Sequence, residues 1–410
     1  MLSAFGINYL IKPDSGPGLT AKTCGTLHAW SGVFARRVRA YLGKAVSVLP
    51  RAGTSAANNF DSLRLIFAVL VIFSHSFPLG RGSDQTEPLN VLTDGQVTFG
   101  HLSVWSFFVI SGFLITQSWL RSPSPTKFLK RRVARIYPAF ISLSLLSALF
   151  LVPFALEPGS DTHISVPSFL LSTLRLQTLQ TPPAFSHNAY PNALNGSLWS
   201  IPFEFWCYIG ILLLGMTRWL ERRYFVLTLL LGVIAWHFFV DISGYNPGGR
   251  WLGVVFGYPL TWAVVLPFFL AGSLFQLWGG PRLIRAPLVL AAVLMLVASN
   301  FIPHGYVVTM PTCGAYLVMS LAYCPAISPL RLGRYGDFSY GVYLYAFPIQ
   351  QLIVKAFGGH IEPLKLFALA APLTLIVGVA SWFLVERHFL TRSAQRRHEG
   401  KLQSSAAAPH

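Results

Sequence analysis

The sequence predicts an all-α protein: a polytopic membrane helix bundle of about ten transmembrane helices, with both termini in the cytoplasm. Composition is the first observation, because 53% of the residues are hydrophobic and only 11% are charged. In a soluble domain about a quarter of the residues are charged. The second observation is a series of apolar segments of about 20 residues, which as helices cross a hydrocarbon core of about 30 Å.

Ten segments meet this criterion. They cover residues 62–79, 101–121, 134–155, 197–217, 224–241, 252–277, 286–303, 306–325, 338–358 and 364–386. The sixth segment contains Pro259 and Pro267, so we expect it to be kinked or split, and the count of ten carries an error of about one.

The distribution of charge along the chain orients the bundle. The formal net charge is +17, and with a cytoplasmic N-terminus most of the basic residues fall in inside loops, whereas Asp84, Glu87 and Asp94 fall outside. This is the positive-inside bias of membrane proteins. This bias accounts for the net positive charge, so nucleic-acid binding is not needed to explain it. We therefore do not expect nucleic acid as a partner.

Three regions follow from these patterns. Residues 58–390 form the membrane domain, preceded by a cytoplasmic extension over 1–57. Within the extension, residues 30–48 are predicted to form a basic amphipathic helix on anionic headgroups or to be disordered. Residues 391–410 are predicted to be a disordered basic cytoplasmic tail.

Arg64 and His75 lie in the first apolar segment, 11 positions apart. On a helix this places them on one stripe, separated by about 16 Å. Ionisable groups inside a membrane usually face a protein interior or a water-filled cavity and mark function. The alternative for His75 is a histidine near the outer interface that bonds a backbone carbonyl.

A basic cluster precedes the third segment and comprises Lys130, Arg131, Arg132 and Arg135. Arg132 and Arg135 are one helical turn apart, so their guanidinium groups are suited to hold phosphates through paired hydrogen bonds. The alternative is topology alone, because basic residues flank most inside helix ends.

Glu204 is the acidic residue well inside the fourth segment, and it needs a partner there, such as His75 or Arg64. The alternative is a purely structural carboxylate that caps a helix. Ser111 and Gly112 form a small-residue notch that allows close helix packing. Asp61 and Asp337 are expected to cap the first and ninth helices.

No metal site and no tightly bound cofactor are expected. The four cysteines, Cys24, Cys207, Cys313 and Cys324, show no metal-ligand spacing, and the histidines are scattered. The chain also contains no glycine-rich phosphate loop and no G-x-S-x-G motif, so chemistry is expected within the helix bundle.

Five motifs in order resemble the acyltransferase-3 family of membrane acyltransferases over residues 58–390. That family has an Arg followed after ten residues by a His, a Ser-Gly-Phe-Leu-Ile stretch, an Arg-x-x-Arg element before Ile-x-Pro, a Leu-Trp-Ser segment with a following Glu, and a Ser-Tyr-Gly-x-Tyr-Leu motif. In this chain the first motif is matched by Arg64 and His75, the second by Ser111–Ile115, and the third by Arg132, Arg135, Ile136 and Pro138. The fourth is matched by Leu198, Trp199, Ser200 and Glu204, and the fifth by Ser339, Tyr340, Tyr343 and Leu344.

Two positions depart from the family pattern. Many relatives have a His two residues after the Tyr-Leu of the last motif, where this chain has Ala346. Many also have paired acids after the Trp-Ser, where Phe203 precedes a single Glu204 here. A mechanism that needs a second histidine in the last motif is therefore not expected.

The resemblance implies a multi-pass protein of a bacterial-type cytoplasmic membrane. It would move an acyl group, usually acetyl, from acyl-CoA as donor substrate to a hydroxyl of a cell-surface or exported glycan or glycolipid. From the residue positions we hypothesise that Arg132 and Arg135, with Lys130 and Arg131, hold the phosphates of coenzyme A and that Arg64 guides the donor. His75 would act as general base, assisted by Glu204, or would carry the acyl group transiently.

Two other function classes stay open at this stage. Ten helices with buried charge also describe a transporter or flippase of a lipid-linked or acylated saccharide, although no repeated half is visible. A third interpretation is a pH sensor or scaffold, which would not need the arginine cluster. Residues 156–196 form the longest outside connection, and their Asn, Tyr and His side chains are candidates for contact with a sugar. The acceptor and the oligomeric state are not predicted.

Overall fold

The computed structural model describes residues 58–156, 159, 164–179, 181, 183–246, 248, 256–325 and 336–390. In that part of the chain no strand occurs, so the predicted all-α class is confirmed. The ten longest helices are α1 Phe60–Arg81, α2 Phe99–Arg121, α3 Pro125–Ala155, α4 Gly196–Met216, α5 Arg223–Ser243, α6 Pro259–Leu277, α7 Ala286–Ser299, α8 Gly305–Ala322, α9 Ser339–Ala356 and α10 Pro363–Leu390.

Among the described residues, eight of these helices are long and apolar enough to cross a membrane. The exceptions are α7, which has 14 residues and ends at Ser299 rather than at the predicted 303, and α9. Helix α9 has 18 residues and carries Gln350, Gln351 and Lys355. The protein is an integral, multi-pass membrane bundle, and the cytoplasmic position of its termini stays a prediction.

Helix α3 begins nine residues earlier than the predicted 134, at Pro125. Proline is favoured in the first helical turn, and lysine and arginine are good helix formers. The basic cluster therefore lies on the first turns of α3 and not in a loop. Helix α6 begins at Pro259 and continues through Pro267, while the predicted residues 252–255 lie outside the described ones.

Close helix contacts hold the centre of the bundle together. A Cβ atom added to Gly112 of α2 would overlap the backbone of Phe269 in α6, and one added to Gly272 would overlap the backbone of Val109. Small residues at such contacts allow two backbones to approach in a membrane protein. In contrast, only 22% of the apolar window of α5 is buried, so this helix presents most of its surface to lipid.

Helix α1 begins, α2 ends and α3 begins at the end of the bundle that carries Arg121, Lys127 and Lys130. We call this the basic end, which is the cytoplasmic side in the predicted orientation. The opposite end carries the short helices Pro88–Leu92 and Val166–Leu174. The predicted extension over 1–57 and the tail over 391–410 lie outside the described residues.

Candidate active site

A cavity of about 470 Å³ lies between α1, α2, α3, α4, α9 and α10. Its lining includes four arginines and two carboxylates, together with hydroxyl groups from α2, α4 and α9. The polar lining residues are Arg64, Ser111, Arg131, Arg132, Arg135, Ser200, Glu204, Tyr208, Asp337, Ser339, Tyr340 and Tyr343. Most of the sequence-predicted site residues therefore converge on one space with an excess of positive charge.

Asp337 joins two of these arginines. Its Oδ2 atom lies 2.5 Å from Nη2 of Arg135 and 3.2 Å from Nη1 of Arg64, while its Oδ1 atom accepts from the backbone and hydroxyl of Ser339. Burial alone would raise the pKa of the Asp337 carboxyl, but Arg135 and Arg64 more than offset this and hold it below its ordinary value of 3.8. The N-cap residue of α9 is Phe338 and forms no side-chain cap, so Asp337 reaches only the amide of Ser339, and its main contacts are the ion pairs of the cavity wall.

The cap predicted for Asp61 is wrong. The N-cap residue of α1 is Asn59, and Asp61 follows it within the first helical turn. The carboxylate of Asp61 is 3.9 Å from Nη1 of Arg64. An acid in a first helical turn favours the helix through the macrodipole and not through a capping hydrogen bond.

Glu386 completes the binding of Arg135 and was missed by sequence reasoning. Its Oε2 atom lies 3.5 Å from Nη1 of Arg135, and Ser381 donates to its Oε1 atom at 3.0 Å. Glu386 ends a π-helical turn, Trp382–Glu386, within α10, and such turns are frequent at functional sites. The available signal was an acidic residue in the last apolar segment, the same signal that identified Glu204.

Arg132 presents its guanidinium group differently. Its Nη2 atom donates to Ser118 at 3.1 Å, and its Cζ atom lies 5.4 Å from the centre of the Phe128 ring and 5.8 Å from that of Tyr208. The Nε atom of Arg132 is buried and has no hydrogen-bond partner among the described residues. Arg131 also lines the cavity, whereas Lys130 is exposed on α3 and does not.

Glu204 is bound by two hydroxyl groups. Its Oε1 atom accepts from Tyr208 at 2.6 Å and from Ser111. The predicted pairing of Glu204 with His75 or Arg64 is therefore not what the structure contains. Tyr208 stands four residues after Glu204, a helical spacing that brings side chains together, so this partner was visible in the sequence.

The remaining motif residues hold the helices around the cavity. The hydroxyl of Tyr343 donates to the carbonyl of Ser197 at 2.7 Å and lies 2.8 Å from Ser200. Tyr340 donates to the carbonyl of Ile136 at 3.1 Å, and the Trp199 ring packs on that of Phe203. These bonds connect α9 to α3 and α4.

His75 lies apart from the cavity. It is 11 residues beyond Arg64 in α1, which corresponds to about 16 Å toward the opposite end. The edge of its ring packs against Phe347 with 5.6 Å between ring centres, and its Nδ1 atom is buried without a partner among the described residues. The predicted catalytic set is thus divided: Arg64 and Glu204 line the cavity, and His75 is near the other end.

The connection over 156–196 is partly bound to the bundle. Asn188 donates to the side chain and the carbonyl of Gln351, at 2.7 and 2.9 Å, and Asn195 donates to the carbonyl of Leu344 at 2.9 Å. These two candidates for sugar contact therefore anchor the connection to α9.

Comparison with known proteins agrees with the motifs. The family model described as an acyltransferase domain matches residues 58–387. A protein of Shigella phage Sf6 named O-acetyl transferase is 32% identical over 83% of this chain and 98% of its own length. Nodulation protein 10 of Rhizobium leguminosarum bv. viciae is 29% identical over 80% of this chain and 92% of its own length. No solved structure matches the chain significantly.

The family match covers the described membrane bundle from residue 58 to 387, which confirms the expected acyltransferase-3 membership and with it the expected enzyme class. The chain belongs to the acyltransferase-3 family and is a membrane-embedded O-acyltransferase.

Proposed function

We propose that this protein transfers an acyl group, namely acetyl, from acyl-CoA to a hydroxyl of a cell-surface or exported glycan in a bacterial-type cytoplasmic membrane. The observation that carries the proposal is the cavity of about 470 Å³ with four arginines in its wall. Coenzyme A carries several phosphates, and arginine is the residue best suited to bind them through paired hydrogen bonds.

The ion pairs distribute different roles among the arginines. Arg135 is held by Asp337 and Glu386, and Arg64 by Asp337, so both have carboxylate partners. Arg132 retains a buried Nε donor without a partner among the described residues. We therefore assign phosphate binding first to Arg132, with Arg131 beside it, and a positioning role to Arg135 and Arg64. This differs from the expectation that Arg135 contacts the phosphates directly.

The separation of Arg64 and His75 fits the shape of such a donor. About 16 Å along α1 separates the cavity wall from the imidazole, and the extended pantetheine arm of coenzyme A spans a distance of that order. Phosphates bound at the basic end would thus place the thioester near His75. The side chains of Val104 and Phe107, which line the cavity, and Phe347, which packs on His75, would border this route.

His75 would then act as general base. It takes the proton of the acceptor hydroxyl as the oxygen attacks the thioester carbonyl, and the thiolate of coenzyme A leaves and recovers the proton. Positioned general bases typically contribute about 10²–10⁴-fold to a rate. The name of the phage relative, O-acetyl transferase, supports acetyl as the group and oxygen as the acceptor atom.

The test is transfer of label from radiolabelled acetyl-CoA to envelope glycan in membranes that contain the wild type, His75→Ala or His360→Ala. His360 is an exposed histidine outside the cavity and the matched control. We expect incorporation with the wild type and His360→Ala and a loss of at least about 100-fold with His75→Ala. Equal incorporation by His75→Ala would overturn the role of His75. Absence of transfer by the wild type would overturn the donor or the acceptor class.

A further inference from the structure

Three buried polar atoms without partners lie on α1 and on two helices, α2 and α9, that contact its outer part. They are Nδ1 of His75, Nδ1 of His101 and Oε1 of Gln350, and none has a hydrogen-bond partner within the described ranges. Buried polar atoms in folded proteins are nearly always paired, and an unpaired one requires an explanation. Three of them on three different helices, α1, α2 and α9, indicate the position of a polar ligand.

Gln350 is fixed beside His75. It is fully buried, and its Nε2 atom donates to the carbonyl of Ile72 and to the hydroxyl of Ser76, both at 2.9 Å. These two residues lie three positions before and one position after His75. Phe347, one turn before Gln350 in α9, packs on the His75 ring. The amide is thus held by its nitrogen, and its oxygen is left without a donor.

His101 approaches from α2. Its ring stacks on Trp105 with 5.5 Å between ring centres, and Trp105 stacks on Phe268 of α6 at 4.7 Å. A Cβ atom added to the preceding Gly100 would lie 3.0 Å from the hydroxyl of Ser74, so α1 and α2 touch at this level. Both side chains are only partly buried.

We propose that His75, His101 and Gln350 form the acceptor subsite and bind neighbouring hydroxyl groups of a sugar. This inference rests on the proposed function and extends it to the acceptor. The Gln350 oxygen accepts a hydrogen bond from a hydroxyl that does not react, and His101 binds a second hydroxyl. The reacting hydroxyl then faces His75, so Gln350 and His101 are positioning residues. A ligand rich in hydroxyl donors satisfies all three unpaired atoms at once.

The main test variant is His101→Phe, which keeps a ring to stack on Trp105 and removes both nitrogens. The probe is deacetylated envelope polysaccharide of the host, titrated at fixed acetyl-CoA, and then acetyl-CoA is titrated at fixed polysaccharide. We expect the half-saturating polysaccharide concentration to rise about threefold to tenfold, as for the loss of one hydrogen bond. The half-saturating acetyl-CoA concentration should not change. His101→Gln, which retains a polar side chain, should recover part of the loss.

Gln350→Leu is the second variant. It should also raise the half-saturating polysaccharide concentration and leave the half-saturating acetyl-CoA concentration unchanged, while the exposed control His360→Phe should match the wild type in both. If Gln350→Leu does not fold, His101→Phe alone decides. The subsite is refuted if polysaccharide half-saturation in His101→Phe equals that of the wild type, or if half-saturation by both substrates shifts together. Either result leaves the proposed function intact as long as the wild type transfers label. No transfer by the wild type would refute the proposed function itself.

Discussion

Asp337 and Arg135 form an ion pair of 2.5 Å that fastens the segment before α9 to the basic turns of α3. The same carboxylate oxygen also contacts Arg64 of α1 at 3.2 Å. One acidic residue therefore joins three parts of the bundle at the wall of the cavity. Its negative charge also reduces the electrostatic repulsion between the two guanidinium groups.

Asp337→Asn should destabilise the bundle by about 1.5–3 kcal/mol, because Arg64 and Arg135 lose charge-assisted bonds to their shared carboxylate while Arg135 keeps Glu386. The measurement is thermal unfolding of the detergent-solubilised protein. Asp94→Asn is the matched control, because Asp94 is exposed near the opposite end, and it should lie within about 0.5 kcal/mol of the wild type. Equal stability of the two variants would show that the ion pair contributes nothing.

The pH dependence of this contribution has a defined sign. Asp337 lies two residues before α9, and its carboxyl pKa is held below 3.8 in the folded protein. A group with a lowered pKa stabilises the fold above its unfolded pKa and loses that contribution as the pH falls through the folded value. The stability gap between the wild type and Asp337→Asn should stay constant from about pH 8 to 5 and narrow only below about pH 4. A gap that closes near neutral pH would contradict this assignment.

Arg132→Lys should weaken the donor without removing the charge. Lysine lacks the Nε donor and the planar fork, and hydrogen bonds to charged groups contribute about 1.5–3 kcal/mol. We expect KM for acetyl-CoA to rise about tenfold or more, measured as label transfer against donor concentration. Lys130→Ala, on the exposed side of the same helix, should leave KM within about twofold. If both variants behave alike, general positive charge rather than Arg132 binds the donor.

Glu204→Ala should cost more stability than Glu204→Gln. Alanine leaves the hydroxyls of Ser111 and Tyr208 without their acceptor, at about 1–3 kcal/mol for each unsatisfied group, whereas glutamine keeps a carbonyl oxygen in place. Thermal unfolding measures the difference, with the exposed Glu221→Ala as control. A larger loss of stability in Glu204→Gln than in Glu204→Ala would contradict the role of this side chain as the acceptor for the two hydroxyls.

Gly112→Ala should separate α2 from α6. The added methyl group would overlap the backbone of Phe269, which cannot move aside as a flexible side chain can. We expect low yield of folded protein or a loss of about 1–3 kcal/mol, as for overpacked cores. Gly210→Ala in α4 meets nothing within 4 Å and should be tolerated. Fluorescence-detected gel filtration compares the two, and similar profiles would contradict a tight α2–α6 contact.

Hydrophobic length identified the helices because each crosses the same thickness of apolar solvent, and this criterion located eight of the ten starts within two residues, the exceptions being α3 and α6. It failed at the start of α3, Pro125, because the first turns of this helix are basic. These residues favour a helix but are not apolar, so a hydropathy criterion does not include them. Arg64 and Glu204 were found because charge in an apolar segment is costly, whereas Arg131, Arg132 and Arg135 were found as a basic cluster suited to hold phosphates. Which charge pairs with which was not predictable, because Asp337 and Arg135 are 202 positions apart.

Helix α7 has a consequence for the surrounding bilayer. Its 14 residues rise about 21 Å, which is about 9 Å less than an average hydrocarbon core. A short span is accommodated by thinning of the adjacent lipid and by extension of flanking side chains such as Arg285 toward the headgroups. The acyl-chain length of the surrounding lipids therefore acts on the protein beside α7.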